Sequence, residues 1–169
     1  MTISYSQTLT HALIKINSQN HHEFIIHPHE TPRTIYASDE ILELYGQAKW
    51  AIVDLINAQY HTKHDLYNWI NHNNTDEVAY FLNEVGSNTL SHSEYKIPSK
   101  FHLWLGKKSF IIGIEQKGQG FNAQKIDEKR LKENEGAAFD FFRNSQAEIF
   151  FDNPLDARVV YFLAQPRFK

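Results

Sequence analysis

The stretch NEVGSNTLSH, residues 83–92, spaces three polar side chains at intervals of four: Glu84, Asn88 and His92. Residues four apart lie on nearly the same face of an α-helix, so these side chains would form one stripe. A carboxylate and an amide in such a stripe could serve a phosphate and its metal ion. The polar flank of an ordinary amphipathic helix has the same pattern. Both interpretations stay open on these residues alone.

Two segments that contain glycines follow this stripe in the chain. A predicted strand over 110–116 leads into the loop KGQGF, in which Gly118 and Gly120 are one residue apart. Such a pair lets the backbone turn and lets a flat ligand approach closely, although an ordinary loop has the same composition. Gly136 begins a predicted short helix, where backbone N–H groups could face a phosphate.

Hydrophobic periodicity and turn residues predict the elements that would position these side chains. Ser38 and the run Thr75-Asp76-Glu77 are typical of helix starts. The predicted order is a strand at 22–28, a helix from 38, a short helix near 64–71, a helix from 75, a hairpin of 101–105 and 110–116, a short helix from 136 and a hairpin of 147–152 and 157–164. This order predicts an α+β fold, a two-layer α/β sandwich with helices on one face of a mixed, mostly antiparallel sheet.

Length and composition set the class of protein. The 169 residues suffice for one domain, and 41% apolar with 14% aromatic residues favour a folded core over disorder. A net charge of −3 gives no reason to expect nucleic acid or an anionic membrane as a partner. Cysteine is absent, which excludes disulfides and zinc–thiolate sites. The sequence has neither a long apolar run nor a signal-peptide pattern, so we expect a cytoplasmic protein.

The motifs in this order resemble the GHKL ATPase family, and most of all its small single-domain branch, the anti-sigma-factor serine kinases. The matching features are the E-x3-N-x3-H helix, a hairpin, the G-x-G-F loop, a charged segment, a glycine at a helix start and a final hairpin. The resemblance covers about residues 22–164 in element order, and its specific motifs lie in 84–92, 116–121 and 136–139. It implies one GHKL-like domain over 1–169, with 1–21 as an N-terminal extension.

The resemblance implies a role for each motif residue. Glu84 would be the general base, and Asn88 would ligate the Mg²⁺ that bridges the phosphates of ATP. An amide oxygen is a suitable ligand for this hard cation, and a glutamate one turn away could orient a hydroxyl or water for attack. Gly118, Gly120 and Gly136 would line the nucleotide. His92 would pack or form hydrogen bonds.

The charged segment 122–135, in which eight of fourteen residues are charged, would be the lid over the phosphates. Its candidate phosphate contacts are Lys125, Lys129, Arg130 and Lys132. A solvated loop or a short exposed helix is the alternative interpretation of the same segment.

Two positions depart from the family pattern. The family has an aspartate that accepts a hydrogen bond from the adenine amino group, and the matching residue here is Gln116. A glutamine carbonyl can accept the same bond, but a neutral acceptor makes it weaker. Glu115 cannot replace the aspartate because adjacent strand residues point to opposite faces. The second departure is Ala138, where the family has a glycine.

Two functions follow from this resemblance. In the first, the protein binds Mg-ATP and regulates a protein partner of the sigma-factor or anti-sigma-antagonist type, possible activities being a serine/threonine kinase or a binding switch. Small members of the family often form homodimers. In the second, the fold has lost the nucleotide and serves as a protein-binding module.

The ten histidines raise a third kind of site, a metal centre. His27-x-His29 and His61-x2-His64 have spacings that could hold a metal ion. The absence of cysteine, and of an acidic residue at a ligating spacing inside either pair, argues against structural zinc.

Overall fold

The computed structural model of the chain describes residues 3–27, 38–67, 76–85, 98–116, 118–133 and 145–166. Four helices are described, α1 (Leu9–Ile16), α2 (Asp39–Tyr60), α3 (Glu77–Tyr80) and α4 (Ala123–Glu133), with a π-helical turn over Phe81–Val85. Five strands are described, β1 (Asn20–Ile25), β2 (Lys100–Leu105), β3 (Phe110–Glu115), β4 (Glu148–Phe151) and β5 (Val159–Ala164). No helix in these ranges is both long and apolar enough to cross a bilayer.

The strands form one open sheet in the order β1-β2-β3-β5-β4, and each neighbouring pair is antiparallel. The two predicted hairpins are therefore confirmed, and so are the α+β class and the mostly antiparallel sheet. Among the described residues, a parallel contact occurs as an isolated bridge between Ile3 and Ile149. The segment predicted at 22–28 corresponds to the edge strand β1, which begins two residues and ends three residues earlier.

Side-chain caps set the starts of the helices. The Ser38 hydroxyl accepts a hydrogen bond from the backbone N–H of Ile41, and two acidic residues occupy the first turn of α2. Asp76 caps α3 in the same way by accepting from Ala79. Both helix starts agree with the sequence prediction. The predicted short helix near 64–71 is described only through residue 67, where Leu66 and Tyr67 form a single 3₁₀ turn.

The sequence predicted a regular α-helix through Glu84, but the helix that Asp76 caps is α-helical only over Glu77–Tyr80. After Tyr80 the chain adopts a π-helical turn over Phe81–Val85. A π turn closes its hydrogen bonds between residues five apart instead of four, so the chain is wound more widely here than in the predicted α-helix. The apolar stripe is nevertheless correct, since Phe81 and Leu82 are fully buried and Phe81 stacks on Phe162 at 4.7 Å.

The main core lies between one face of the sheet and helices α2 and α3, as a two-layer arrangement requires. At the end of α2, the Tyr60 hydroxyl joins the helix to the sheet by donating to the turn between β2 and β3. Its acceptors are the carbonyl oxygens of Gly106 at 2.7 Å and Ser109 at 2.9 Å. Burial raises the pKa of Tyr60 to about 12, against a smaller lowering by the hydrogen bond with Gly106.

The second face of the sheet is partly covered by α1, which adds to the predicted two layers. Ala12 and Ile16 of this helix belong to a second apolar cluster with side chains from four strands. Those strand residues are Trp104, Ile111, Phe150, Val159, Tyr161 and Leu163. The end of this face formed by β1 and β2 instead presents histidine and glutamate side chains, which are described further below.

Candidate functional site

Gln116 follows directly after β3 and is buried, with 1% of its surface exposed. Its backbone N–H donates to the carbonyl of Arg158 at 2.8 Å, which continues the pairing of β3 with β5. Glu115 faces the side of the sheet that α1 partly covers, so strand alternation turns Gln116 toward the side covered by α2 and α3. The side-chain oxygen Oε1 of Gln116 is buried and accepts no hydrogen bond from the described residues. Such an acceptor costs about 1–3 kcal/mol if it stays unpaired, so it is a candidate ligand contact.

The G-x-G loop is held against the turn between β4 and β5. Gly118 has φ 89°, a conformation that favours glycine, and its carbonyl accepts from Nε of Arg158 at 2.9 Å. At Gly120 an added Cβ would lie 2.9 Å from the carbonyl oxygen of Ala157 and would overlap the Asp156 side chain. Both glycines are therefore required by the chain's own turn. The close approach that the sequence suggested for a flat ligand is, at Gly120, an approach of the protein to itself.

Backbone hydrogen bonds make this loop a rigid extension of the sheet. Phe121 and Ala157 exchange two of them, at 3.1 and 2.7 Å, and Ala123 N–H donates to the Pro154 carbonyl at 2.7 Å. Gln116 therefore lies between a strand end and a fixed loop, which limits its freedom to find another partner.

The charged segment after this loop is helical. α4 begins after Asn122, whose side chain accepts from the backbone N–H of Lys125 at 2.9 Å. The helix is tied to the N-terminal segment because the Tyr5 hydroxyl donates to Asp127 at 2.6 Å. Lys125 and Lys129 are exposed, whereas the side chains of Arg130 and Lys132 lie outside the described part. The segment is thus a short helix whose described side chains are partly exposed, and the lid role stays a prediction.

The remaining predicted site residues are described little or not at all. Glu84 lies in the π-helical turn, and its side chain lies outside the description. The same holds for the whole of Asn88, His92, Gly136 and Ala138. The structure thus brings together Gln116, Gly118 and Gly120, while the pairing of Glu84 with Asn88 stays a prediction.

The described members of the two histidine pairs named from the sequence do not belong to the group of possible metal ligands found among the described residues. His27 is buried and His29 is outside the described residues. His61 ends α2 with φ 57°, and Nδ1 of His64 lies 2.9 Å from Oδ1 of Asp76. His64 therefore supports the cap of α3. Histidines that do cluster with a carboxylate were missed, because they are distant in sequence.

Comparison of the chain with protein-family models, with curated proteins and with solved structures found no match.

Proposed function

We propose that the protein is a cytoplasmic ATP-binding regulator of the GHKL type that acts as a switch on a protein partner. The observation that carries this proposal is the buried, unpaired side-chain oxygen of Gln116 at the position where the family binds adenine. A fold that did not use this group would be more stable with an apolar side chain there, since burying an unpaired acceptor is unfavourable.

Adenine offers the hydrogen-bond donor that Oε1 of Gln116 lacks among the described residues. Its exocyclic amino group can donate to Oε1, and the glutamine NH₂ can donate to a ring nitrogen. The bond is neutral and is weaker than one to an aspartate by about 1–2 kcal/mol, or on the order of tenfold in affinity. We therefore expect binding that is specific for adenine and modest in strength.

The phosphate half of the proposed site is assigned from the resemblance. Asn88 would be a ligand of Mg²⁺, Glu84 would be the general base, and Gly136 would supply backbone N–H groups to the phosphates. Exposed Lys125 and Lys129 on α4 are available as phosphate contacts. The proposed activity is transfer of the terminal phosphoryl group of ATP to a serine or threonine hydroxyl of a partner of the sigma-factor or antagonist type, with ADP as the leaving group. A homodimer is the proposed assembly.

A protein-binding module without nucleotide is the second candidate, and one observation favours it. Trp50 on α2 and Tyr67 after it are 37% and 62% exposed, and their ring centroids lie 5.4 Å apart. Exposed aromatic pairs are common at protein interfaces because they bury a large area at small entropic cost. In addition, the two loop glycines are already explained by the fold.

Calorimetric titration with ATP and ADP, with and without Mg²⁺, tests the proposal. We expect Gln116→Leu to abolish binding while leaving the free energy of unfolding equal or higher, because an unpaired buried acceptor is removed. Gln116→Asp should tighten binding about tenfold, since it restores a charged acceptor. Asn88→Ala should remove the dependence on Mg²⁺. Gln165→Leu is the matched control, because Gln165 is exposed beyond the far end of β5.

The absence of heat up to millimolar nucleotide, in both the natural chain and Gln116→Asp, would overturn nucleotide binding. The second candidate would then be the better description, and Trp50 and Tyr67 would be the first residues to substitute in a search for a partner.

A further inference from the structure

We propose that His21, Glu23 and His102 form a binding site for a divalent transition-metal ion, with Zn²⁺ as the first choice. These residues lie at the β1–β2 end of the second face of the sheet and are not part of the apolar cluster that α1 forms with the strands. Gln116 faces the other side, so this site is independent of the proposed nucleotide site.

The pairing of β1 with β2 brings the three side chains together. In the antiparallel register, His21 lies opposite Trp104 and Glu23 lies opposite His102. Residues two apart on a strand share a face, so His21 and Glu23 point to the same side as His102 and Trp104. Directly opposite and diagonal neighbours on one face lie within contact distance. Among the described residues, this is the group of histidine and acidic side chains whose candidate ligand atoms all lie within 4.8 Å of one another.

The distances between the ligand atoms fit a shared metal ion. Nε2 of His21 is 3.1 Å from Nδ1 of His102, and Oε1 of Glu23 is 3.9 and 3.7 Å from these two atoms. Ligand atoms at about 2.0–2.1 Å from a tetrahedral zinc lie roughly 3.3 Å apart. The two imidazoles already have this spacing, and the glutamate needs to move by only a few tenths of an ångström. Its side chain is 46% exposed and can make that adjustment.

His102 is oriented by a second carboxylate. Nε2 of His102 lies 3.3 Å from Oε1 of Glu115, on the neighbouring strand β3. This contact assigns the proton to Nε2 and leaves the lone pair of Nδ1 directed at the shared position. Metal-binding histidines commonly donate their other N–H to a carboxylate in this way. Glu115 is thus a positioning residue for the proposed metal.

Aromatic packing fixes the two imidazole rings. Trp104 stacks on His21 with ring centroids 4.6 Å apart and on His102 at 5.1 Å, and the planes are within 10° of parallel. The Trp104 ring packs closely against the backbone at position 113. This is possible because residue 113 is glycine, since a Cβ there would lie 3.2 Å from the Trp104 ring. The rings therefore do not need to be ordered when the ion binds, which favours affinity.

The metal-free arrangement is consistent with this role. His21 donates to His102 through the 3.1 Å contact, and on metal binding its proton shifts to the other ring nitrogen by exchange with solvent. Lys100, whose Nζ is 3.9 Å from Oε1 of Glu23, is a weak competitor that an ion would displace. Among the described residues, the nearest of the three basic partners of the Glu23 carboxylate is His102 at 3.7 Å, so the carboxylate forms no short ion pair with them.

The donor set indicates the class of ion. Two imidazole nitrogens and one carboxylate oxygen suit Zn²⁺ and its neighbours in the transition series, whereas Mg²⁺ and Ca²⁺ prefer oxygen ligands alone. Three protein ligands leave one tetrahedral position open, and 40% of the His21 side chain is exposed beside it. We therefore assign water or a small anionic ligand to the fourth position.

Calorimetric titration of the chelator-treated full chain with Zn²⁺, without nucleotide, tests the site. We expect one ion per chain and no binding of Mg²⁺ under the same conditions. Removing an outer carboxylate partner costs about 10–100-fold in metal affinity, so Glu115→Gln should fall in that range. His21→Ala removes a direct ligand from an exposed position and should weaken binding by more than about 100-fold. Co²⁺ titration followed by visible absorption reports the coordination geometry.

The matched control is His22→Ala, because His22 is adjacent in sequence but points to the opposite face. Its Zn²⁺ affinity should stay within about threefold of the natural chain. Thermal midpoints of the metal-free variants should show that each is folded. The proposal is overturned if the natural chain binds no Zn²⁺ at millimolar concentration. It is also overturned if His21→Ala and His22→Ala bind equally, because the ions would then be adventitious.

Discussion

The carboxylate of Asp76 links the segment after α2 to the start of α3, and its loss should lower the free energy of unfolding. Its Oδ1 accepts from the backbone N–H of Ala79 at 3.1 Å and lies 2.9 Å from His64 Nδ1, while Oδ2 accepts from Asp65 N–H at 3.0 Å. The side chain is 4% exposed. Loss of a helix cap costs about 1 kcal/mol, and each partly buried donor left unpaired costs at least about 1 kcal/mol more. For Asp76→Ala we therefore expect a loss of about 3 kcal/mol in the free energy of unfolding.

Urea unfolding followed by far-UV circular dichroism measures this loss. With a slope of about 1–3 kcal/mol per molar urea, the midpoint should fall by at least about 1 M. Asp76→Asn keeps one carbonyl oxygen for the cap and should lose about half as much. The control is Asp54→Ala, since Asp54 is exposed on α2 and its removal should change stability by less than about 0.5 kcal/mol. If Asp76→Ala and Asp54→Ala unfold at the same midpoint, the link between α2 and α3 contributes nothing.

The same carboxylate gives the unfolding curve a pH dependence. Burial acts to raise the pKa of Asp76, but hydrogen bonds from His64, Asp65 and Ala79 outweigh it and hold the pKa below the usual range. A depressed pKa means that the stabilisation is complete above the unfolded value of about 3.9 and is lost as the pH falls through the folded value. The stability difference between the natural chain and Asp76→Ala should therefore shrink below about pH 4. A difference that grows on acidification would contradict the assignment.

Two further predictions concern backbone space and a buried hydroxyl. Gly120→Ala should lower the free energy of unfolding by about 1–3 kcal/mol, because the new methyl group would overlap the carbonyl of Ala157. Gly46→Ala in α2 should raise it by about 1 kcal/mol, because no atom lies within 4 Å of the new methyl group and alanine favours the helix. Urea titration of both variants checks this pair, and equal effects would refute the stated cause. Tyr60→Phe should lose about 1–2 kcal/mol. Because the folded pKa of Tyr60 is raised to about 12, its contribution persists below about pH 10 and is lost as the pH approaches 12, which alkaline unfolding of the two chains measures.

Local signals in the sequence were sufficient for the helix starts and the hairpins. Ser38 and Asp76 cap helices through contacts three residues away, so composition alone could identify them. The alternation of FHLWL and the turn after it likewise gave the correct pairing of β2 with β3. In contrast, the π-helical turn over Phe81–Val85 was not predictable, because an apolar spacing of three and four fits a π turn as well as an α turn.

Non-local contacts explain what the sequence could not show about the candidate site. The G-x-G motif was recognised, but the reason for Gly120 is a turn more than thirty residues later, at Ala157. Likewise, the resemblance singled out Gln116 as a ligand contact, which stays a prediction, but the lack of a donor to its Oε1 among the described residues depends on every element packed around it. A motif thus located the residue, and only packing could show that its acceptor is available.

The proposed metal ligands illustrate the same limit at its strongest. His21 and His102 are separated by 81 residues. On its own strand, His21 has Glu23 two residues away as a possible second ligand, and His102 has no such neighbour on β2. Their proximity depends on the register of β1 against β2, since a slip of one residue would turn His21 and Glu23 to the other face. An ion held by both strands would bind the folded register alone and would stabilise β1, which is an edge strand with one hydrogen-bonded neighbour. Metal binding and the pairing of this edge strand would therefore be coupled, each favouring the other.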